Sequence, residues 1–217
     1  MKIRSAAEFE DFVASEYSWR RKEITNLRNI TLESRSFIKE SLFRSLIPIL
    51  YAHWEGFVKQ TSIAKLKYLS AAGYKYKDLA PSFLAYALLV EYEGQISNKR
   101  FDILSKIVSN ETNFDMCLHH EAEKFIDAKS NLNSDVLKDI LLKIKLDYSK
   151  FELKENFIDE SFLGLRNKIC HGERVKINEE NFTLIYDEVN LLIDTFKINI
   201  LNSVSTKSYL KNPVPTN

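Results

Sequence analysis

The chain has 217 residues, of which 45% are hydrophobic and 12% aromatic, so it is long enough to bury a full core as one domain with elaborations. Its 31 basic and 30 acidic residues give a formal net charge of +1, which excludes a polycationic coat; contact with nucleic acid would need a local basic patch. The longest apolar run, residues 83–90, is too short to span a bilayer, and the two cysteines form no disulfide framework. We therefore expect a cytoplasmic protein with no membrane contact and no signal peptide.

Helical periodicity dominates the chain, and the alternation typical of strands is nearly absent. Ser5 and Glu8 have the spacing of a capping box, which predicts a first helix from about residue 6 to residue 31. A second helix is predicted to begin near Ser36 and to reach about residue 70. Pro48 lies in its middle and lacks a backbone donor, so we expect a kink or a break there.

The middle of the chain has weaker patterning. Residues 73–81 are a predicted loop. Short helices are predicted near residues 82–92, 99–109 and 115–128. We interpret residues 75–133 as an inserted helical elaboration within a single domain that spans residues 1–205.

Regular helical patterns return after this region. Ser134 is the predicted cap of a helix whose first turn carries Asp135, where the helix dipole favours an anion. Another helix is predicted over residues 155–171, and Gly172 suits the left-handed backbone that often ends a helix.

The last helix is predicted to start at Asn178, with Asn181 three residues further on, and a flexible tail is predicted for residues 206–217. Together these elements predict an all-α fold.

The segment from Arg166 to Gly172 combines a permanent cation, an amide and an imidazole at a helix end. Only Arg28 and Arg166 precede an asparagine, and a histidine five residues after such an arginine is expected roughly 0.04 times by chance. In RNA the 2′-hydroxyl is an internal nucleophile. His171 can therefore act as acid or base and Arg166 can stabilise charge on the phosphate, with no metal or other cofactor, while Asn167 holds the imidazole or a phosphate oxygen.

Helical geometry argues against a complete site on one helix, because Arg166 and His171 are about 140° apart around an ideal helix. Two features would bring these groups together. His171 lies in the terminal turn, where the backbone departs from ideal geometry, and a second copy of the helix across a two-fold axis would complete the cleft. The motif is therefore interpreted as half of a site.

The segment Leu-Arg-Asn-Lys-Ile-Cys-His-Gly-Glu at residues 165–173 resembles the Arg-polar-x3-His motif of the HEPN superfamily. The segment Leu-Tyr-Ala-His-Trp-Glu-Gly-Phe at residues 50–57 is similar to the early helix of bacterial HEPN proteins of the RiboL-PSP or MAE type, found in defence and toxin–antitoxin systems. The resemblance implies a HEPN-like helical bundle and a homodimer whose two motifs face one cleft. It also implies metal-independent endoribonuclease activity, with Arg166, Asn167 and His171 as the catalytic residues and an antitoxin or defence-system protein as a partner.

One position departs from the family pattern. HEPN toxins that are silenced by a nucleotidyltransferase usually carry a tyrosine two residues after the motif histidine, and this chain has Glu173 there. Control by modification of a tyrosine at that position is therefore not expected.

Several further residues are weaker candidates. His53 and Glu55, on the second predicted helix, and Glu173 and Arg174, after the motif, are candidates for supporting the site; the competing interpretation is an interface or surface role. Lys168, Lys75 and Lys77 are candidate RNA-binding residues, the last two within a segment rich in tyrosine that could stack on bases. A solvated loop is the simpler interpretation of that segment.

Two alternatives concern metal and thiol chemistry. One short helix carries Cys117, His119, His120 and Glu123, but four ligands from one such helix cannot surround a tetrahedral ion, so we expect no metal site. Cys170 is expected to be a half-buried structural residue rather than a nucleophile.

The main alternative function has no catalysis. Arg166 and His171 could simply cap and solvate a helix end, where a cationic histidine is favourable. In that case the protein would be a HEPN-like helical module that binds RNA or a partner protein.

Overall fold

Six α-helices account for most of the chain described by the structure, a computed structural model that covers residues 3–85, 122–127 and 131–212. They are α1 (Ala6–Glu33), α2 (Ser36–Ala71), α3 (Ala122–Phe125), α4 (Ser134–Lys143), α5 (Leu165–Cys170) and α6 (Glu179–Ser205). A 3-10 turn, Glu152–Lys154, and a π-helix, Phe157–Gly164, precede α5. The predicted all-α class is confirmed: the described ranges contain no strand, and their extended backbone forms isolated bridges such as Leu79 with Leu210.

The helix α2 lies at the centre and packs antiparallel to α1. The ring of Phe9, near the start of α1, stacks on Tyr68, near the end of α2, at 5.9 Å between centroids. Further along α1, Tyr17 meets the edge of Phe57 at 6.3 Å. The aromatic pairs run in opposite order along the two helices, which fixes their relative direction.

The helix α6 runs parallel to α2. Phe43 stacks on Phe182 at 4.7 Å near the beginnings of the two helices, and Phe57 meets Phe196 at 6.1 Å further along. Trp54 is fully buried between them and lies 6.1 Å from the Phe196 ring. Burying such rings gives each about 2 kcal/mol or more of favourable transfer free energy, so this seam is the main part of the core.

Pro48 does not split α2, which is continuous from Ser36 to Ala71. The proline removes one backbone donor, but Ile47 and Leu50 on either side of it are buried in the core. Packing therefore maintains the helix where local propensity opposes it.

Helix caps follow the sequence closely, with one correction. Ser5 accepts a hydrogen bond from the Glu8 backbone at 3.2 Å, and Asn178 accepts one from Asn181 at 2.8 Å, both as predicted. The cap of α4 is Asn133, whose side chain accepts from the Val136 backbone at 2.8 Å, and not Ser134. Ser134 instead donates from its hydroxyl to Asp159 at 2.5 Å, so the predicted cap was wrong by one residue.

The predicted flexible tail starts too early. Residues 206–212 fold back against the loop after α2, and Tyr209 is fully buried. Its hydroxyl lies 3.0 Å from that of Tyr74, and the Lys211 backbone donates to the Asp78 carbonyl at 2.9 Å. The prediction is therefore wrong for this part of the tail, while residues 213–217 lie outside the described chain.

The middle region is described only in part. A helical turn at residues 81–85 and the helix α3 fall within the helices predicted near 82–92 and 115–128. The helix predicted near residues 99–109 lies outside the described residues. The domain boundaries and the interpretation of residues 75–133 as an insertion stay predictions.

No helix in the described ranges is both long enough and apolar enough to cross a membrane.

Lys65 is a fully buried lysine that joins three parts of the fold. Its ammonium nitrogen, on α2, donates to the carbonyl of Ile144 at 2.8 Å and to the hydroxyl of Ser203 at 2.7 Å. Ile144 is the C-cap of α4 and Ser203 lies on α6, so one side chain ties the ends of two helices to α2. Burial lowers the pKa of Lys65 to about 7.

This burial predicts a pH-dependent stability. Between pH 7 and 10.5, the unfolded chain keeps the Lys65 proton and the folded protein does not, so the free energy of unfolding rises with pH. In this window the free energy of unfolding of the wild type, relative to that of Lys65→Met, should rise by about 1 kcal/mol per pH unit. Urea denaturation at several pH values measures this difference.

Lys67→Met is the matched control, because Lys67 lies on the same helix, is partly exposed and pairs with Glu123. The difference in the free energy of unfolding between Lys67→Met and the wild type should not rise with pH in this way. Parallel pH curves for the wild type and Lys65→Met would contradict the assignment.

Candidate active site

A Schellman motif ends the helix α5 and sets the position of His171. The backbone of Gly172 donates to the Ile169 carbonyl at 3.0 Å, and that of Glu173 donates to the Lys168 carbonyl at 2.9 Å. Gly172 has φ +83°, the left-handed conformation predicted for it. His171 is the C-cap, as expected for a residue in the terminal turn, and its side chain is exposed.

The segment before α5 is helical, as predicted, but it is a π-helix rather than an α-helix. A Cβ on Gly164 would lie 3.3 Å from the carbonyl oxygen of Asp159, five residues earlier, so glycine suits this wide turn. Asp159 accepts hydrogen bonds from Ser134, and the Phe162 ring packs against the edge of Tyr51 at 5.5 Å. The π-helix therefore anchors the motif helix to both α4 and α2.

Arg166 is half-buried and has three partners. Its guanidinium carbon lies 4.5 Å from the centre of the Tyr51 ring. The nitrogen Nη1 donates to the side-chain oxygens of Asn131 at 2.9 Å and Asn167 at 2.7 Å. The Tyr51 hydroxyl in turn accepts a hydrogen bond from the backbone of Leu132. Tyr51 and Asn131 lie outside the motif and were not predicted to belong to the site.

The structure does not join Arg166 and His171 within one chain. In the described part of the protein, no hydrogen bond or ion pair links the two side chains, which agrees with the expected 140° separation. The side chain of Asn167 contacts Arg166, whereas its backbone carbonyl accepts from the His171 backbone at 2.9 Å. Of the two roles expected for Asn167, its side chain does not hold the imidazole, and contact with a phosphate oxygen stays a prediction.

The two supporting candidates on α2 have different surroundings. His53 is buried against α1, with its ring 5.2 Å from Trp19 and its Nε2 atom 3.3 Å from the Glu23 carboxylate. Burial lowers the pKa of His53, and Glu23 opposes that shift. His53 therefore faces away from the motif helix.

Glu55 neighbours Tyr51, the residue whose ring lies under Arg166. Burial raises the pKa of Tyr51, and the neighbouring Glu55 carboxylate raises it further. The atom Oε2 of Glu55 is buried and has no hydrogen-bond partner among residues of the described chain. Of the two candidates on α2, only Glu55 neighbours a residue that contacts Arg166.

The candidates after the motif and on its outer face are all exposed. These residues are Lys168, Glu173 and Arg174. Cys170 is also exposed and is a free thiol, so the expectation that it would be half-buried was wrong.

Lys75 and Lys77 follow α2, whereas Tyr51 lies about 20 residues before the end of that helix, so about 30 Å of helix separates them from the site. The nearby tyrosines do not form an exposed stacking surface, since Tyr76 is buried and Tyr74 packs against Tyr209 at 5.4 Å. That part of the RNA-binding prediction was wrong. Contact of the two lysines with RNA stays a prediction.

Three of the four residues weighed as metal ligands, Cys117, His119 and His120, lie outside the described residues. The fourth, Glu123, forms an ion pair with Lys67 at 3.3 Å.

An open cleft of about 440 Å³ adjoins the motif helix. It lies between the π-helix and the beginning of α6, and its lining is mostly apolar, with Phe157, Leu165 and Ile185 among its residues. Leu165 is the first residue of α5, so the cleft adjoins the beginning of the motif helix.

A helical bundle with a motif helix packed on α2 is consistent with the HEPN superfamily, which the sequence resembles. A family model described as RiboL-PSP-HEPN matches residues 15–202, and the chain belongs to that family. The resemblance to the HEPN superfamily is thereby confirmed, and of the RiboL-PSP and MAE types the match is to RiboL-PSP. No curated protein and no solved structure matches the chain. Membership supports a ribonuclease or nucleotide-related function.

The Schellman motif makes a prediction about stability. Gly172→Ala should lower the free energy of unfolding by roughly 1 kcal/mol, because a residue with a Cβ is strained in the left-handed conformation. A Cβ at this position meets no atom within 4 Å, so the loss would be conformational and not steric. Urea denaturation measures the difference.

Gly172→Asn is the control, since asparagine tolerates the left-handed conformation better than alanine. It should recover part of the lost stability. Equal stability of Gly172→Ala and the wild type would count against the motif.

Proposed function

We propose that the protein is a metal-independent endoribonuclease, a toxin or defence effector that cleaves RNA at a composite site formed by two copies of the chain. Arg166 stabilises charge on the phosphate, His171 transfers protons, and Asn167 helps to hold Arg166. The proposal rests on family membership and on the surroundings of Arg166.

The observation that carries the proposal is the missing counter-ion of Arg166. Its two hydrogen-bond acceptors are neutral amide oxygens, and within the described ranges no carboxylate forms an ion pair with it. Arg20, by contrast, is bound by the Glu16 carboxylate at 2.8 Å. Partly buried charges are normally paired with an opposite charge. Because the Arg166 guanidinium is held by neutral groups, its positive charge is not compensated and can bind an incoming anion such as phosphate.

The chemistry explains why two copies are needed. One imidazole removes the proton from the 2′-hydroxyl, whose oxygen attacks phosphorus and displaces the 5′-oxygen, and a second group protonates that leaving oxygen. The products are a 2′,3′-cyclic phosphate and a 5′-hydroxyl. Each chain has one motif histidine, so His171 from each of two copies would supply the base and the acid.

Exposed apolar residues offer a surface for the second copy. Leu153 is 96% exposed, and Leu184 and Leu191, seven residues apart on α6, are 61% and 48% exposed. Leu184 also lines the cleft that contains Leu165, so a copy seated on this surface would approach the motif helix. Burying leucines on both sides of a two-fold axis is typical of homodimer interfaces.

One observation favours the non-catalytic alternative. Arg166 already braces α5 against Tyr51 and Asn131, a role that stabilises a helix without any reaction. A helical module of this kind would bind RNA or a partner protein and leave RNA intact. An antitoxin or defence-system partner is compatible with either function.

The nuclease proposal is tested with purified protein and single-stranded RNA in EDTA. We expect cleavage by the wild type and a loss of about 100-fold or more in rate for His171→Ala and for Arg166→Ala, since each removes a group needed in the transition state. Gel analysis of products gives the rates.

Cys170→Ala is the matched control, because Cys170 is exposed next to His171 and has no role in the proposed chemistry. It should cleave RNA like the wild type. A wild type that is inert as a dimer would support the non-catalytic module. Equal toxicity of the wild type and His171→Ala in cells would also count against the nuclease.

The homodimer makes a separate prediction. Leu184→Glu should shift the protein from dimer to monomer at micromolar concentration in light scattering, because it places a charge in the apolar interface. Leu142→Glu is the control. Leu142 is 58% exposed, but it lies two residues before Ile144, which Lys65 joins to Ser203, and Ser203 is about 28 Å along α6 from Leu184. A monomeric wild type would remove the composite site.

A further inference from the structure

Arg166 is held by residues that the motif does not contain. Tyr51 is only 2% exposed and its ring packs against that of Phe162. Its hydroxyl accepts a hydrogen bond from the Leu132 backbone N–H. The neighbouring residue, Asn131, accepts from Arg166. Just before α4, Leu132 therefore fixes the Tyr51 ring under the guanidinium, and Asn131 fixes the Nη1 atom of Arg166.

The arrangement leaves a defined part of the guanidinium available. Both hydrogen bonds from Arg166 leave from Nη1, which carries two hydrogens, so that nitrogen is fully used. Within the described chain, no residue accepts from Nε or Nη2 of Arg166, and together these carry the remaining three hydrogens. A fork of this kind matches the oxygens of a phosphate.

We propose that Tyr51 and Asn131 are positioning residues that orient Arg166 so that its Nε and Nη2 atoms face the scissile phosphate of RNA. This inference rests on the proposed nuclease function and names the residues that prepare its site. Tyr51 supplies a flat face that keeps the guanidinium plane in one orientation, and Asn131 fixes the rotation within that plane. Both acceptors are neutral, so the orientation is achieved without cancelling the charge.

The neutrality of Asn131 gives a sharp test. Asn131→Asp puts a carboxylate at the position that now accepts from Arg166, which strengthens the contact but supplies the counter-ion that the site lacks. A merely structural contact would tolerate this change or improve with it. A positioning role for phosphate predicts a fall of about 100-fold in kcat in spite of unchanged or higher thermal stability.

Asn133→Asp is the matched control, because it adds the same charge two residues away, at the cap of α4, where aspartate is as good a cap as asparagine. It should leave kcat within about 3-fold of the wild type. Tyr51→Phe keeps the ring under Arg166 but removes the hydroxyl that accepts from the Leu132 backbone, so its fall in kcat should be smaller than that of Tyr51→Leu. If Tyr51→Leu fails to fold, the comparison of Asn131→Asp with Asn133→Asp still tests the positioning role.

A second readout does not depend on cleavage. In the His171→Ala background, the affinity for a fluorescein-labelled single-stranded RNA of mixed sequence is measured by anisotropy at several salt concentrations. If Arg166 meets a phosphate, Asn131→Asp should lower the slope of log Kd against log salt by about 0.7, the value for one phosphate contact on a single strand. Asn133→Asp should give a smaller change.

The outcomes separate the inference from the nuclease proposal. RNA cleavage by a wild type that Asn131→Asp matches in kcat would overturn the inference alone. An inert wild type whose salt slope falls on Asn131→Asp would overturn the nuclease and support the positioning of Arg166 for phosphate. An unchanged slope, or no binding of RNA at all, would overturn the inference.

Discussion

The burial of α2 is the constraint on which the rest of the structure depends. Its middle is covered by α1, by α6 and by the π-helix with α5, so that Trp54 and Phe57 are fully buried. A helix enclosed in this way accepts apolar residues on nearly every face, and it overrides the local effect of Pro48. Tyr51 belongs to the same helix, and through it the position of Arg166 follows from the packing of the core.

Much of the helical layout could be predicted from the sequence, because helix ends carry local signals. The caps at Ser5 and Asn178 and the left-handed Gly172 depend on residues close in sequence, and all three are confirmed. The π-helix was missed, since it has no periodic signature of its own; the mid-helix Gly164 was the one available sign. The burial of Tyr209 was also missed, because it depends on Tyr74, far away in sequence.

Some residues of the candidate site could likewise be predicted from the sequence, and others could not. Arg166 and His171 stood out because their types and spacing are rare together, whereas Tyr51 and Asn131 joined them only through folding. Tyr51 was part of the segment that carried the family resemblance, but nothing in that segment indicated that its ring lies under an arginine. Asn131 was one polar residue among several. Contacts between residues 35 or 115 positions apart leave no local pattern.

Arg166 and His171 are secured in different ways, and this affects how the site would fail. Arg166 is fixed by side-chain contacts to the core, whereas the contacts that position His171 within the described ranges are backbone hydrogen bonds in the last turn of a six-residue helix. Helix ends open locally at a small fraction of the free energy of global unfolding. Fraying of that turn would displace the imidazole while the bundle stays folded. Any activity of the site would then be the first property lost on warming and, because the bundle refolds before that turn re-forms, the last regained on cooling.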